Sequence, residues 1–269
     1  MKIYIAVDME GATGICCRDQ ISGTGALYAE GRRLLTLDVN AAVQGALDGG
    51  ATEVLVADVH SNSYNLIHEM IHPKAQVFYG RAPRAPRFPF LDESVGALFL
   101  VGYHAMAGTR AAVMEHTMSS HDWFRLLING IESGEAAIDA AIAGERGIPT
   151  ALVTGDDAVC AEARAFFPGV ETVSVKKGTG RHGALCLSLE VTEKLIREGA
   201  KRAVERAKTI KPYVLQTPVQ VGLVYKHTEN ADGFYNAEGE GWKRVDGYSV
   251  ERTFPRISDW YGGQWKSKD

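Results

Sequence analysis

Cysteine is scarce in this chain: four residues, with Cys16 and Cys17 adjacent, Cys160 and Cys186 isolated, and no C-x-x-C pair. That excludes a zinc finger, and four thiols in 269 residues are too few for a disulfide scaffold, which points to a reducing compartment. Long hydrophobic runs are missing as well. No segment approaches the roughly 20 apolar residues that span a bilayer, and the opening MKIYIAVDMEG lacks the longer apolar stretch and small-residue cleavage site of a signal peptide. A cytoplasmic protein without a membrane partner is expected. Positive charge is not in excess either: 29 Lys and Arg face 33 Asp and Glu, for a net charge of −4. With no long basic cluster to offset it, nucleic acid is not an expected partner.

What is present is ordinary globular material, 45% hydrophobic and 23% charged, close to the average for soluble domains. The length allows one large α/β domain or two domains sharing an interface. Residues 3–7, 53–58 and 97–102 are short, continuous apolar runs, the pattern of strands buried on both faces. Between the first two, Leu34, Leu35, Val39, Ala42, Val43, Ala46 and Leu47 recur at helical spacing, and Gly49 and Gly50 supply a stop. Farther on, helices are predicted over 133–143, 156–166 and 192–209, with strands over 151–154 and 170–175. This alternation predicts an α/β fold, a largely parallel sheet flanked by helices. After Pro212 the pattern turns more β-like, with strands expected over 219–225 and near 242–245 and 248–254. The chain therefore divides into an α/β region, 1–210, and a β-rich C-terminal region, 211–269, packed on the same body. Segments 188–190 and 211–212 are the candidate linkers. Trp260, Tyr261 and Trp265 make the tail apolar enough to dock on the body or on a neighbouring subunit.

In open α/β sheets ligands bind beyond the carboxyl ends of the strands, and here those ends are rich in metal-ligand residue types. The first run ends in Asp8-Met9-Glu10-Gly11, the second in Asp58-Val59-His60, the third in Gly102-Tyr103-His104. Residues two apart in an extended chain point the same way, so Asp8 with Glu10, or Asp58 with His60, can face one point. Singly, an Asp after a strand caps a turn and a histidine is a hydrogen-bonded core residue. Together, at three successive strand ends, they would be costly to bury without a shared cation. Glu135, in the first turn of the predicted 133–143 helix, suits either the helix dipole or a ligand role. Mixed oxygen and nitrogen donors without thiolate suit Zn²⁺, and equally Mn²⁺ or Co²⁺. Even without Asp58, the five residues Asp8, Glu10, His60, His104 and Glu135, three of them carboxylates, are enough for two ions.

These residues carry a resemblance. Ala6-Val7-Asp8-Met9-Glu10-Gly11, Asp58-Val59-His60-Ser61, Gly102-Tyr103-His104-Ala105, Val113-Met114-Glu115-His116-Thr117-Met118, Ile128-Asn129-Gly130 with Gly134-Glu135, and Gly155-Asp156-Asp157 resemble, in order and spacing over residues 1–225, the zinc-dependent D-aminopeptidase (DppA) family of bacteria. The resemblance implies that Asp8, Glu10, His60, His104 and Glu135 are zinc ligands for two ions per subunit. It also implies that His116 lies at the catalytic centre without being a permanent ligand. The implied activity is metal-dependent release of an N-terminal D-amino acid, of D-Ala type, from short peptides by an activated water. The implied assembly is a homodecamer of two stacked pentameric rings with the sites facing an internal chamber.

Alternatives are a same-family aminopeptidase for L-peptides, a dinuclear metallophosphoesterase, since such sites also serve phosphoryl transfer, and a non-catalytic peptide-binding protein. Lys176-Lys177-Gly178-Thr179-Gly180-Arg181-His182-Gly183 lacks the Walker spacing and is expected to be a solvated loop. Asp156 and Asp157 are expected to cap the helix that follows. Ser119-Ser120-His121-Asp122 contains the residue types of a triad, but a single local run does not give triad geometry.

Overall fold

In the computed structural model, which describes residues 1–80, 86–234 and 241–261, the three apolar runs are adjacent parallel strands. They are β1 (Lys2–Val7), β2 (Glu53–Asp58) and β4 (Val95–Tyr103), with β3 (Ala75–Phe78) outside β2. Their alternation explains the continuous hydrophobicity. Ile3, Ile5 and Val7 enter one core and Tyr4 and Ala6 the other, as do Phe99 and Val101 against Leu98 and Leu100. Helix α1 (Arg18–Ile21) follows β1, and α2 (Tyr28–Asp48) returns the chain to β2.

The first core lies under α2 and α5 (Leu189–Arg206); the second lies against α3 (Glu135–Gly144) and α4 (Asp157–Phe166). Strands β7 (Thr150–Asp156) and β8 (Glu171–Gly180) continue the sheet in parallel, and β9 (Gly183–Cys186) closes its edge antiparallel, giving the order β3-β2-β1-β4-β7-β8-β9. A second, antiparallel sheet runs β11-β12-β10-β5-β6. It is built from β5 (Trp123–Ile128), β6 (Ile131–Glu132), β10 (Val219–Tyr225), β11 (Lys243–Arg244) and β12 (Ser249–Phe254). Its inner residues Trp123, Leu126, Val221 and Leu223 join the second core. Because β10 pairs with β5, strands from either side of residue 210 share this sheet. Beyond β10 lies the short α6 (Thr228–Asp232).

Two expectations are corrected. Residues 176–183 are not a solvated loop. Strand β8 runs to Gly180 and turns directly into β9, with Lys177 opposite Leu185. Gly178 marks close packing rather than freedom: a Cβ there would stand 2.0 Å from the Ala111 carbonyl oxygen. Nor is 188–190 a linker, because Ser188 is the N-cap of α5. The tail does dock. In α7 (Ile257–Tyr261), Trp260 is buried and stacks on Trp123 at 6.2 Å between ring centroids, and the Ile257 amide donates to Glu145 Oε1 (2.7 Å). Trp265 lies outside the described residues.

The chain leaves β1 for β2 on one side while β4 and β7 build out on the other, so β1 and β4 flank the switch point where such sheets bind ligands. The turn after β1 is pressed onto the end of β4. The Gly11 amide donates to the Gly102 carbonyl (2.8 Å), and a Cβ on Gly11 would stand 1.8 Å from the Tyr103 carbonyl oxygen. Replacing Gly11 by alanine must displace backbone. The expected cost is about 1–3 kcal/mol of stability, measured by denaturant unfolding, together with loss of the geometry described below; a variant as stable as the parent would show that the turn has slack.

Candidate metal centre

Asp8 and Glu10 leave β1, His60 leaves β2, His104 leaves β4, and Glu135 is the first residue of α3, its N-terminus facing the crevice. All five are buried, and His116, from the irregular segment before β5, joins them nearly buried. His60 Nδ1 lies 3.0 Å from Asp8 Oδ1 and 3.1 Å from Glu10 Oε2. His104 Nε2 is 3.3 Å from Asp8 Oδ2 and 3.4 Å from Glu135 Oε1, and His116 Nε2 is 3.6 Å from the same Glu135 oxygen. The His104 and His116 rings stack, with centroids 4.0 Å apart. All six sequence-derived candidates therefore meet.

Each imidazole is held from behind. One nitrogen donates to a backbone carbonyl: His60 Nε2 to Ile21 (3.2 Å), His104 Nδ1 to Ala105 (2.9 Å) and His116 Nδ1 to Met114 (2.9 Å). This fixes ring orientation and tautomer, and leaves the other nitrogen aimed at the carboxylates, as in metal sites. The test of fit for a cation lies in the atoms left over. Asp8 Oδ2, Glu10 Oε2 and His104 Nε2 are buried and have no aligned hydrogen-bond partner, although they approach one another closely. Such orphans are costly, and they are the atoms a shared cation would satisfy. Two overlapping donor groups, Asp8-Glu10-His104 and His104-His116-Glu135, are each compact enough to hold an ion. The residues fit zinc.

Asp58, paired with His60 in the strand pattern, is instead an organiser. It accepts from the amides of Asn65 and His60 and from Asn65 Nδ2, shaping the turn that carries His60. Ser61 and Ser63 in that turn have positive φ, as do Met114 and Met118 flanking His116, conformations that cost of order 1–3 kcal/mol each and cluster at functional sites. Asp156 caps α4 as expected, accepting from the Val159 amide (2.9 Å), and its other oxygen accepts from the Val113 amide. Glu115 turns away to Arg181. Ser119 donates to Asp122 while His121 meets Arg18, so these residues form no triad. Burial pushes the Cys16 thiol up to about 11, which leaves no activated nucleophile there.

Several supporting residues escape sequence reading. Buried Arg87 grips Asp139 with two hydrogen bonds of 3.0 Å and reaches within 4.0 Å of Glu135 Oε2, while the Tyr103 hydroxyl donates to Asp139 (2.6 Å). The Met118 amide donates to Glu135 Oε1 (2.7 Å). Glu162 Oε2 accepts from the Met106 amide (2.8 Å), and burial raises its carboxyl to about 7. Of this shell, Tyr103 and Met118 lie within the motif segments that flank His104 and His116, whereas Arg87, Asp139 and Glu162 lie outside them.

The family model of the D-aminopeptidases matches residues 1–263. The chain belongs to the D-aminopeptidase family. A D-aminopeptidase of Bacillus subtilis (strain 168) is 36% identical over 213 residues, 79% of this chain and 77% of the relative. Among solved structures, the Zn-dependent D-aminopeptidase DppA from Bacillus subtilis, described as a self-compartmentalizing protease, superposes with a TM-score of 0.92 at 29% identity, covering 97% of this chain and 94% of that one. The likeness thus extends past residue 225, through the β-rich part and into the aromatic tail. No helix among the described residues is long and apolar enough to cross a membrane.

The electrostatics set a pH signature for the metal-free protein. Burial disfavours charge on His60 and His104, but Glu10 and Asp8 around the first, and Glu135 and Asp8 around the second, raise both well above the usual histidine range. Burial likewise opposes ionisation of Glu10 and Glu135, yet the histidines hold both below the usual range, Glu135 at about 2. The raised histidines stabilise the fold fully below about pH 6.5, their unfolded value, and that contribution is lost as pH rises through their folded values. The chelated protein is expected to melt at progressively lower temperature above about pH 6.5, whereas zinc-loaded protein keeps its melting temperature over the same range. Equal pH dependence with and without zinc would contradict a role for these imidazoles in metal binding.

Proposed function

We propose that this protein is a zinc-dependent D-aminopeptidase that releases the N-terminal D-residue, of D-Ala type, from short peptides. The observation that carries the reading is the convergence of three backbone-anchored imidazoles on three carboxylates at the sheet's switch point. Family membership and the Zn-dependent structural relative support it and favour neither the L-peptide nor the phosphoesterase alternative.

Asp8, Glu10, His60, His104 and Glu135 would hold the zinc, two ions per subunit. Asp8 presents Oδ1 to His60 and Oδ2 to His104, so its two oxygens would serve both halves of the donor set. When bound, zinc supplies the Lewis acidity that activates water at neutral pH and polarises a carbonyl. The carboxylates of Glu10 and Glu135, held ionised, provide the negative charge that an N-terminal ammonium requires. His116 is the least enclosed of the three imidazoles, 15% exposed in its side chain. With its Nδ1 proton committed to the Met114 carbonyl, Nε2 is the atom that exchanges a proton with the leaving amine or donates to the oxyanion. The Arg87–Asp139 pair behind Glu135 holds that carboxylate against the pull of its neighbours. Residues 1–210 supply every member of this set, and the strands beyond 210 complete the second sheet over the core that supports α3.

The assembly is read as a homodecamer, two stacked pentameric rings enclosing the sites, supported by the self-compartmentalizing structural relative. Exposed apolar side chains at Leu185 on β9 and at Phe124 and Ile131 on the second sheet are compatible with burial between copies.

The test is alanine release from D-Ala-D-Ala and L-Ala-L-Ala by chelated and zinc-reloaded protein. Zinc-restored cleavage of the D-isomer is expected; cleavage of the L-isomer alone would overturn the stereochemistry, and turnover of a phosphate ester with neither dipeptide cleaved would overturn the reaction. In the same assay His116→Ala should lower kcat by about 10²–10³ at unchanged zinc content, and loss of zinc would make His116 a ligand instead.

A further inference from the structure

The turn that carries Asp8 and Glu10 is irregular from residue 8 to residue 15, so its carbonyls have few partners from secondary structure. One side chain supplies them. Lys176 Nζ donates to the carbonyls of Glu10 (2.6 Å), Ala12 (2.8 Å) and Ile15 (2.5 Å). An ammonium has three donors and no acceptor, so the group is fully used by one short stretch of chain, and its residue is only 2% exposed. Its inward course follows from strand pairing. Between β7 and β8 the register shifts so that Gly155 pairs with Ser174 and Asp156 with Lys176, passing over Val175. Irregularities of this kind re-aim a side chain, and here both Val175 and Lys176 point inward.

The same turn is gripped at further points. Asp38 of α2 accepts from the Thr13 amide (2.8 Å) and hydroxyl (2.7 Å), and Gly11 is pressed on β4. Burying an ammonium is expensive unless its hydrogen bonds are made, and an apolar residue would fill the same space without that cost. What the apolar residue would not do is hold three carbonyls of one turn at fixed separations.

We propose that Lys176 is a positioning residue of the metal centre: acting only through the backbone of Glu10, Ala12 and Ile15, it holds the Asp8 and Glu10 carboxylates in the geometry that binds the cation. The proposal rests on the reading of Asp8 and Glu10 as zinc ligands. It also has a sign that distinguishes it from a charge effect. Removing a buried positive charge near the site would, by Coulomb's law alone, tighten cation binding; loss of positioning weakens it.

The experiment measures the zinc dissociation constant by chelator competition, beside the melting temperature of the zinc-free protein, for four full-length variants. Lys176→Met keeps the length of the side chain and removes its donors; Lys176→Gln restores two of them. Val175→Ala is a neighbouring core truncation on the same strand that removes none of the turn's hydrogen bonds, and Glu10→Gln tests the ligand assignment. The expected result is zinc binding weakened about 10–100-fold in Lys176→Met, less in Lys176→Gln, and unchanged in Val175→Ala even where its melting temperature falls. Unchanged or tighter binding in Lys176→Met overturns the proposal. Should that variant show no cooperative melt, Lys176→Gln decides, a zinc affinity equal to that of Val175→Ala being contrary. Wild-type affinity in Glu10→Gln would instead remove the ligand reading, a failure distinct from that of Lys176.

Discussion

Three carboxylates and three imidazoles packed against one another, five of the six residues buried, impose the constraint on which the rest depends. Without a partner, buried anions would be neutralised or driven to the surface. Raised histidines His60 and His104 balance them in the metal-free protein; in the proposed zinc form a divalent cation would do so instead, protons and zinc competing for the same nitrogens. The orphaned oxygens of Asp8 and Glu10 and the orphaned Nε2 of His104 mark where proton balancing leaves the site incomplete.

The sheet explains how six residues from distant parts of the chain reach one point. Parallel strands present their carboxyl ends along one edge, and the reversal of strand order between β1 and β4 opens a crevice there. Close backbone approach then brings the ends together. Gly102, in a left-handed conformation with φ of 75°, lies so near the Asp8 carbonyl that a Cβ would come within 2.3 Å of it. Glycine at Gly11 and Gly102 is thus a requirement of the close approach of the β1 turn to the end of β4, and these two residues belong to the D-x-E-G and G-Y-H segments that carry the family resemblance in sequence.

The parts legible in sequence are those written in local pattern. Continuous apolar runs mark β1, β2 and β4, helical periodicity marks α2, and acids and histidines just past the runs mark Asp8, Glu10, His60 and His104. Glu135, in a helix's first turn, leaves a dipole role and a ligand role equally open, and His116 stands out only through the family's motif order, since a histidine in an irregular segment is common. Asp58 shows the limit of period-two reasoning: the chain turns sharply after β2, so Asp58 points back to Asn65 rather than toward the metal donors. Lys176 shows another limit. A lysine before a glycine-rich stretch reads as surface, and only a shift in strand register buries it. Arg87 lies far in sequence from its partner Asp139, so their pairing leaves no local trace.

The central claim is that the buried cluster is a zinc centre. Anomalous diffraction from crystals of zinc-loaded protein, recorded on both sides of the zinc absorption edge, tests it directly. The expected result is two zinc peaks within coordination distance of Asp8, Glu10, His60, His104 and Glu135, of roughly 2.0–2.2 Å to their oxygen and nitrogen atoms. Strong zinc peaks elsewhere with none among these residues would contradict it.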